Sequence, residues 1–281
     1  SVLLPTYNTK ASHLRACLDS IKKQHGHFWI DLVCVDDGSD ALHASILGRM
    51  LADLERTTRW VRVHLHTNQE NVGICASLAK GLAECPKNNR LVFRMDADDV
   101  MVPQRMVKQA EYMQSHPSVV LCGAQVHLFD DRTGRVMQTT SHPTVLWEDY
   151  RRGRCASPHW MTNHPTFCFR LDEVVRVGGY NANIHSVCED FDLVLRVMMV
   201  YGGVHNLSEA LLYYRIHDEQ ITKVLRSSGD AARPPKDWGA VRNRIIQHYF
   251  DCDLHRREGG EGGECVPFSF DAPDVPSSPP N

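Results

Sequence analysis

Short apolar segments alternate with helical patterns along the first hundred residues. The segments SVLLPTYN (1–8), IDLVCVDDGSD (30–40) and LVFRMDADD (91–99) each run into polar turn residues, and WVRVHLHTN (60–68) alternates as a strand does. Between these segments, apolar residues recur at steps of three and four, which is typical of one buried helix face: Leu14, Cys17, Leu18 and Ile21, then Ile46, Leu47, Met50, Leu51 and Leu54. The alternation predicts right-handed crossovers that build a parallel sheet.

Polar side chains collect where the predicted strands end. Ligands of such sheets bind beyond the carboxyl ends of the strands. The residues that follow the strands there are Tyr7, Asp36, Asp37, Asp96 and Asp98. We therefore expect a binding site at this edge of the sheet.

The second half of the chain carries less regular signals. A helix is predicted from Pro103 to about Ser115, and VVLCGAQVHLF supplies another strand. Residues 130–165 are rich in Arg, His and Pro with weak periodicity, so we expect a variable loop region. Hydrophobic order returns in TFCFRLDEVVRVGGY, EDFDLVLRVMMVYG and LLYYRIH.

Composition shifts again near Ser227. One amphipathic helix is expected over about 238–250, with Val241, Ile245, Ile246 and Tyr249 on its apolar side, and the Gly-, Pro- and Ser-rich end should be disordered. The predicted division is into a first half (1–100), a second half (101–226), a helical extension (227–256) and a tail (257–281).

Charge and hydropathy exclude several classes of protein. The 31 basic and 34 acidic residues are nearly balanced, which argues against a sequence-independent nucleic-acid binder. Apolar runs fall short of the roughly 18 residues that a membrane span needs. The chain opens directly on a strand-like segment, as a piece of a longer protein would, so a missing targeting signal carries no weight. The ten cysteines lack CxxC spacing, and we expect buried reduced thiols rather than a zinc knuckle or disulfide scaffold.

The acidic segment DADD suggests a cation site. In an extended segment, Asp96 and Asp98 point the same way while Ala97 points away. Two neighbouring carboxylates repel each other unless a cation lies between them and an anion, and a divalent metal on a diphosphate meets that condition. The alternative is an Asp-rich turn before the helix near Pro103.

Seven motifs in order give the segment its context. PTYN (5–8), VDDGS (35–39), NVG (71–73), DADD (96–99), GGY (178–180), EDFDL (189–193) and LYYRIH (212–217) resemble those of inverting family 2 glycosyltransferases, over residues 1 to about 223. The resemblance implies an α/β GT-A fold: a Rossmann-like mixed sheet flanked by helices, in a single compact domain. It also implies transfer from a nucleotide-sugar donor to an acceptor hydroxyl. By resemblance, residues 1–100 form the nucleotide-sugar-binding half and residues 101–226 the acceptor-binding and catalytic half, with acceptor choice governed by residues 130–165.

The donor site follows from the same motifs. By resemblance, Pro5 and Tyr7 lie near the base, and Asn71 belongs to the nucleotide-sugar site. Asp37 matches the acid that accepts a hydrogen bond from uracil, which implies a UDP donor. Asp36 is left open to a turn-capping role within DDGS.

The metal site also follows by resemblance. Asp96 matches a position near the ribose and the metal, Asp98 the direct metal ligand, and His217 the late histidine of the metal or diphosphate site. Carboxylate and imidazole ligands suit Mn2+ or Mg2+.

An inverting displacement needs a base to take the proton of the acceptor hydroxyl. Asp190 matches that base by resemblance, and Glu189 should orient or bind the acceptor. Both acids are also well placed to cap a helix over Phe191–Tyr201. Gly178 and Gly179 fit either a tight turn near the sugar or a helix terminator.

One motif departs from the family, because Ala79-Lys80-Gly81 replaces an NxG unit. Lys80 is expected to be a solvated helix residue, with contact to phosphate as the alternative.

Two other functions are possible for a chain with these motifs. A sugar-phosphate nucleotidyltransferase would need a glycine-rich loop after the first strand, which PTYNTKASH lacks. A non-catalytic nucleotide or glycan-binding module would need a damaged site. Family relatives act on glycan or lipid-linked acceptors, which implies a cytoplasmic protein with peripheral association at a membrane face.

Overall fold

Four parallel strands form the first half of the sheet. The computed structural model describes residues 1–184, 188–220, 238–257 and 267–269. Within them, β1 (Val2–Thr6), β2 (Ile30–Asp36), β3 (Val61–Thr67) and β4 (Leu91–Arg94) lie in the order β3-β2-β1-β4, all parallel. The parallel sheet predicted from the alternating pattern is confirmed.

The connecting helices cover this half of the sheet. They are α1 (Ala11–Lys22), α2 (Ala41–Thr57) and α3 (Ile74–Ala83). The residues of α1 that were predicted to face the core, from Leu14 to Ile21 at helical spacing, are buried. Helix α2 starts where the side chain of Asp40 accepts a hydrogen bond from His43 N–H at 2.9 Å, an N-cap that satisfies one of the free donors of the first turn.

The second half of the sheet is mixed. It contains β5 (Val100–Met101), β6 (Leu121–Asp130), β9 (Cys168–Arg170) and β10 (Gly203–Ile216), and α4 (Arg105–Ser115) precedes β6. Strand β9 runs antiparallel to both neighbours, β4 and β6, whereas β6 and β10 are parallel. The order across the described residues is β3-β2-β1-β4-β9-β6-β10-β5. The expected mixed sheet flanked by helices is therefore present.

Two expectations are wrong. Asp96 to Asp98 are not extended, because β4 ends at Arg94 and these acids lie in the polar turn that was expected at the end of the segment. Residues 130–165 are not a plain loop: they hold β7 (Val136–Thr139), β8 (Val145–Leu146), α5 (Trp147–Arg151) and the start of a short 3₁₀ helix, His164–Thr166. Strand β7 pairs only with β6 and is exposed at all four positions, so it shows no apolar alternation.

Three later helices pack together beside the sheet: α6 (Leu171–Arg176), α7 (Glu189–Tyr201) and α8 (Trp238–Arg257). The apolar side predicted for α8 is buried at Val241, Ile245 and Tyr249. The helix runs to Arg257 rather than to about residue 250, because its last turns face solvent and carry no apolar signal.

The predicted tail is partly ordered. Phe268 is buried, its N–H donates to Tyr249 Oη at 3.2 Å, and its carbonyl accepts from Asn181 Nδ2 at 2.6 Å. The expectation of disorder is therefore wrong at 267–269, and the rest of the tail after Arg257 lies outside the described residues.

Cysteine chemistry follows the expectation with one exception. Eight described cysteines are free thiols, and seven of these are buried. Cys252 on α8 differs, since it is disulfide-bonded. No helix in the described part of the chain is long and apolar enough to cross a membrane.

Candidate active site

Three carboxylates meet in the turn that follows β4. Asp96, Asp98 and Asp99 each place one oxygen within 4.8 Å of the others. Ala97 is buried, as the alternation predicted, while Asp96 and Asp98 are partly exposed. Asp99, the next acid in the turn, is only 1% exposed. The turn therefore holds a buried acid beneath two accessible ones.

Asp99 has an unsatisfied oxygen. Its Oδ1 accepts the backbone N–H of Arg215 at 2.8 Å, while its buried Oδ2 has no hydrogen-bond partner among the described residues. Burial, and then the charges of Asp98 and Asp96, raise the pKa of this carboxyl well above its usual range. A hard divalent cation would relieve both the repulsion and the unmet bonding, so this donor set fits Mg2+ or Mn2+.

Asp96 is held from below by a buried arginine. Arg94, the last residue of β4, forms an ion pair with Asp96 through Nη1. Burial raises the pKa of Asp96, and Arg94 opposes that rise. Sequence reasoning missed Arg94, although a charged residue in an otherwise apolar strand is a signal that could have found it.

His217, just beyond β10, reaches the same turn. Its Nε2 lies 2.9 Å from Oδ2 of Asp98. The guanidinium of Arg215 supports the pair, since Nε donates to the carbonyl of Asp98 at 2.6 Å and Nη1 to Asp131 at 2.7 Å. Asp131 in turn lies 3.1 Å from His13, whose ring is 5.0 Å from that of His217. The structure thus brings the predicted metal residues together and adds a supporting network that the motifs did not reveal.

Asp37 organises the neighbouring loop. Its Oδ1 accepts from Asn68 Nδ2 at 2.8 Å and from Val72 N–H at 3.0 Å, and its Oδ2 accepts from Gly73 N–H at 2.9 Å. Lys80, on α3, donates to Asn68 Oδ1 at 2.8 Å. Lys80 therefore belongs to the Asp37 network, rather than being only a solvated helix residue.

The other donor-site candidates differ in exposure. Pro5 is buried inside β1 opposite Val35, whereas Tyr7, at the end of that strand, is half exposed. Asn71 is exposed in the loop held by Asp37. Asp36 is buried, and its Oδ1 accepts from Ser39 N–H at 3.2 Å, as expected for the turn-capping alternative. Among these four residues, Tyr7 and Asn71 are the ones that a ligand could reach.

Asp190 lies in the first turn of α7. Its Oδ1 accepts the N–H of Phe191 at 2.7 Å, so it does part of the capping that the sequence left open. Burial, and then Glu189, raise the pKa of Asp190, while Arg242 opposes the rise. A carboxylate with a raised pKa is suited to accept a proton near neutral pH.

Glu189 is 4% exposed and lies behind Asp190. Its Oε1 is 3.4 Å from Nδ1 of His164, and Nε2 of His164 is 3.0 Å from the hydroxyl of Tyr180. Burial, and then Arg94, lower the pKa of His164 to about 3, so this imidazole is neutral. His164 was not singled out from the sequence, where a lone HPT in an irregular region gives little signal.

Gly178 and Gly179 end α6. Both have left-handed φ, of 91° and 60°, and their N–H groups donate to Val175 and Val174 at 2.9 Å. The carbonyl of Gly179 accepts from Arg196. The helix-terminator interpretation of these glycines is the one that the structure shows.

Sequence comparison identifies relatives of the chain. Residues 1–178 match the family model described as Glycosyl transferase family 2. The amylovoran biosynthesis glycosyltransferase AmsE of Erwinia amylovora is 32% identical over 229 residues, covering 79% of this chain and 78% of AmsE. The Escherichia coli UDP-Gal:alpha-D-GlcNAc-diphosphoundecaprenol beta-1,3-galactosyltransferase is 27% identical over 164 residues, covering 57% of this chain and 56% of that protein.

Solved structures share the fold. The mannosyltransferase PcManGT of Pyrobaculum calidifontis, in complex with GDP-Man and Mn2+, superposes with a TM-score of 0.59 at 16% identity and covers 94% of this chain and 76% of its own. S. aureus TarS 1-349 with UDP-GlcNAc gives 0.60 at 15%, covering 92% and 74%. The present chain spans 42% of a longer TarS chain. These likenesses confirm the GT-A fold.

Proposed function

The chain belongs to glycosyl transferase family 2, and from this premise we propose that it moves a sugar from a UDP-sugar to a hydroxyl of a glycan or lipid-linked acceptor, with inversion at the anomeric carbon. The observation that carries the proposal is the approach of His217 to Asp98 beside Asp96 and the unsatisfied oxygen of Asp99. This set of donors has the chemistry of a metal–diphosphate site.

Asp98, Asp99, Asp96 and His217 would hold Mn2+ or Mg2+. A bound divalent ion would offset the negative charge that develops on the departing diphosphate. The chain itself fixes these donors. Arg94 holds Asp96, and Arg215 donates from its side chain to the carbonyl of Asp98 and from its backbone N–H to the carboxylate of Asp99. Donors that are held in place before the substrate binds need little reorganisation during the reaction.

Asp190 acts as the general base. Its raised pKa favours uptake of the proton from the attacking hydroxyl. Glu189 is buried against His164, and its charge raises the pKa of Asp190, so we assign it to the environment of the base. This differs from the expected role, in which Glu189 orients or binds the acceptor.

The uridine preference rests on Asp37 and on relatives. Three donors of the chain hold Asp37, so it shapes the base pocket chiefly through the loop that carries Asn71. The E. coli relative is named for a UDP-Gal donor and a diphosphoundecaprenol acceptor, and TarS was solved with UDP-GlcNAc. A lipid-linked acceptor of the diphosphoundecaprenol type would bring the protein to the cytoplasmic face of a membrane.

Titration calorimetry tests the proposal. UDP is titrated into the chain with Mn2+ and then with EDTA, and CTP and GDP serve as controls. We expect uridine-selective binding that needs the metal. UDP-Gal, UDP-Glc and UDP-GlcNAc are then screened for UDP release with added glycosides, and NMR of the new linkage reports inversion. Equal binding of all three nucleotides, or binding unaffected by EDTA, would contradict the donor assignment.

A further inference from the structure

A short strap crosses the start of α7 beside the base. The strap, residues 159–162, shares the lining of a small cavity with Asp190 and Phe191. Within it Trp160 is 49% exposed, although it lies next to the candidate catalytic carboxylate. A large apolar ring left half in solvent at such a place suggests a contact surface for a ligand.

Helix α8 holds the strap in place. Arg242 Nη1 donates to the carbonyl of His159 at 2.6 Å, and the ring Nε2 of His159 lies 3.0 Å from Asn243 Oδ1. The guanidinium of Arg242 also lies 5.3 Å from the centre of the Phe191 ring, the residue after the base. The C-terminal helix therefore ties the strap and the first turn of α7 to one another.

The ring of Trp160 also has a fixed neighbour. The rings of His142 and Trp160 are 4.7 Å apart at an interplanar angle of 65°. The backbone of His142 is clamped by Gln125, which accepts from its N–H at 2.7 Å and donates to its carbonyl at 2.9 Å. Trp160 is thus presented on a supported segment rather than on a free loop.

We propose that the strap forms a subsite for the acceptor sugar, with Trp160 as the surface on which the apolar C–H face of a pyranose ring stacks. The inference rests on the proposed function, because a hydroxyl that gives its proton to Asp190 must belong to a sugar lying against the residues that line the same cavity. An indole offers a flat apolar face together with a polar N–H edge, which suits a ring that is apolar on its face and polar on its rim. The subsite is separate from the donor loop at Asp37.

Fluorine NMR tests the subsite without a known acceptor. The full chain is labelled with 5-fluorotryptophan at its five tryptophans, and the signals of Trp160 and Trp29 are assigned with Trp160→Phe and Trp29→Phe. Methyl β-glycosides of glucose, galactose and N-acetylglucosamine are titrated in the presence of UDP and Mn2+. We expect at least one glycoside to shift the Trp160 signal saturably and to leave that of Trp29, which is 74% exposed, unchanged.

Variants give the matched comparison. Trp160→Ala should weaken glycoside binding by about tenfold, Trp160→Phe should retain most of it, and Trp29→Ala should leave it intact. UDP affinity should stay within about twofold in all three, which also reports correct folding. If no glycoside moves the Trp160 signal while UDP binds, the subsite is wrong. If UDP fails to bind but glycosides still shift Trp160, the subsite stands and the transferase function falls.

Discussion

The imidazole of His217 lies 2.9 Å from the carboxylate of Asp98, although 119 positions separate the two residues in the chain. Strand β10 ends directly above the turn that follows β4, and Arg215 bonds to the backbone of that turn. The contact depends on the second half of the sheet, since β9 and β6 lie between β4 and β10.

Replacing Asp98 should abolish metal-dependent donor binding. Asp98→Asn is expected to lower UDP affinity in Mn2+ by at least about tenfold, the lower end of what losing even an indirect metal contact costs. Affinity in EDTA should not change. Calorimetry checks both values, and Asp172→Asn, an exposed acid on α6, is the control. Full Mn2+-dependent affinity in Asp98→Asn would remove this residue from the metal site.

Replacing Asp190 should separate binding from turnover. In Asp190→Asn, the amide oxygen can still accept from Phe191, so the helix start should survive while the proton acceptor is lost. We expect kcat to fall by about 10²- to 10⁴-fold with UDP affinity unchanged. Steady-state UDP release is the measurement. Retained turnover would transfer the base role to Glu189, which Glu189→Gln would then reveal.

The pH profile of kcat should report the environment of Asp190. Since the base works unprotonated and its pKa is raised, the rate should increase with pH through a range above that of an ordinary aspartate. Two charged groups act on it: Glu189 raises the pKa, whereas Arg242 lowers it. Removing a positive charge favours the neutral acid, so Arg242→Gln should move the acid limb to higher pH. Arg256→Gln, exposed on the same helix, should not. A shift toward lower pH would contradict the assignment.

The buried contact between α7 and α8 should contribute to stability through the hydroxyl of Tyr249. Tyr249 donates to Asp192 Oδ1 at 2.6 Å, and Arg196 binds the other carboxylate oxygen. Tyr249→Phe leaves a buried carboxylate oxygen without its donor and should cost about 1–3 kcal/mol in the free energy of unfolding. Tyr201→Phe loses only long contacts of 3.3 and 3.4 Å and should cost less than about 0.5 kcal/mol. Urea unfolding measures the free energy of unfolding of both variants. Equal losses would show that the hydrogen bond from Tyr249 to Asp192 adds no stability beyond that of the surface contact of Tyr201.

Two helix glycines should respond in opposite directions. A Cβ at Gly81 on α3 would lie 2.4 Å from Leu3 Cδ1 and 2.9 Å from Val35 Cγ2, so Gly81→Ala should overpack the helix against the sheet and cost about 1–3 kcal/mol. A Cβ at Gly48 on α2 meets nothing within 4 Å, and Gly48→Ala should add about 0.4–1 kcal/mol. Thermal unfolding gives the sign of each. A stabilising Gly81→Ala would mean that α3 is packed more loosely than described.

The sequence predicts the first half of the fold well because β1, β2 and β4 coincide with apolar segments, β3 alternates, and amphipathic helices lie between them. The motifs also single out Asp96, Asp98 and His217, which the structure brings together; their role in metal binding stays a prediction. Strand β9 could not be anticipated, since three residues are too few for a period, and β7 has no buried face. The strands that pair with β9, which are β4 and β6, lie far from it in the sequence.

The supporting residues of the site escape prediction for a related reason. Arg94, Asp99 and His164 acquire their roles from groups that the fold brings to them, such as the unmet oxygen of Asp99 beneath its two neighbours. The spacing of residues in a motif indicates which side chains could bind a metal. It does not indicate how deeply each side chain is buried, and burial sets its charge state. Arg242 also takes its role from the fold, since it lies outside the region that carries the family motifs and contacts His159.

The edge of β4 stays unpaired during synthesis until the antiparallel strand β9 has been made. Strands β1 to β4 can pair as soon as they leave the ribosome, but the free edge of β4 waits for Cys168 to pair with Phe93. At about 5 to 20 residues per second, that interval lasts roughly 4 to 15 s. During it the edge of β4 lies open next to the acidic turn, and charges close to an open strand edge disfavour its pairing with another chain.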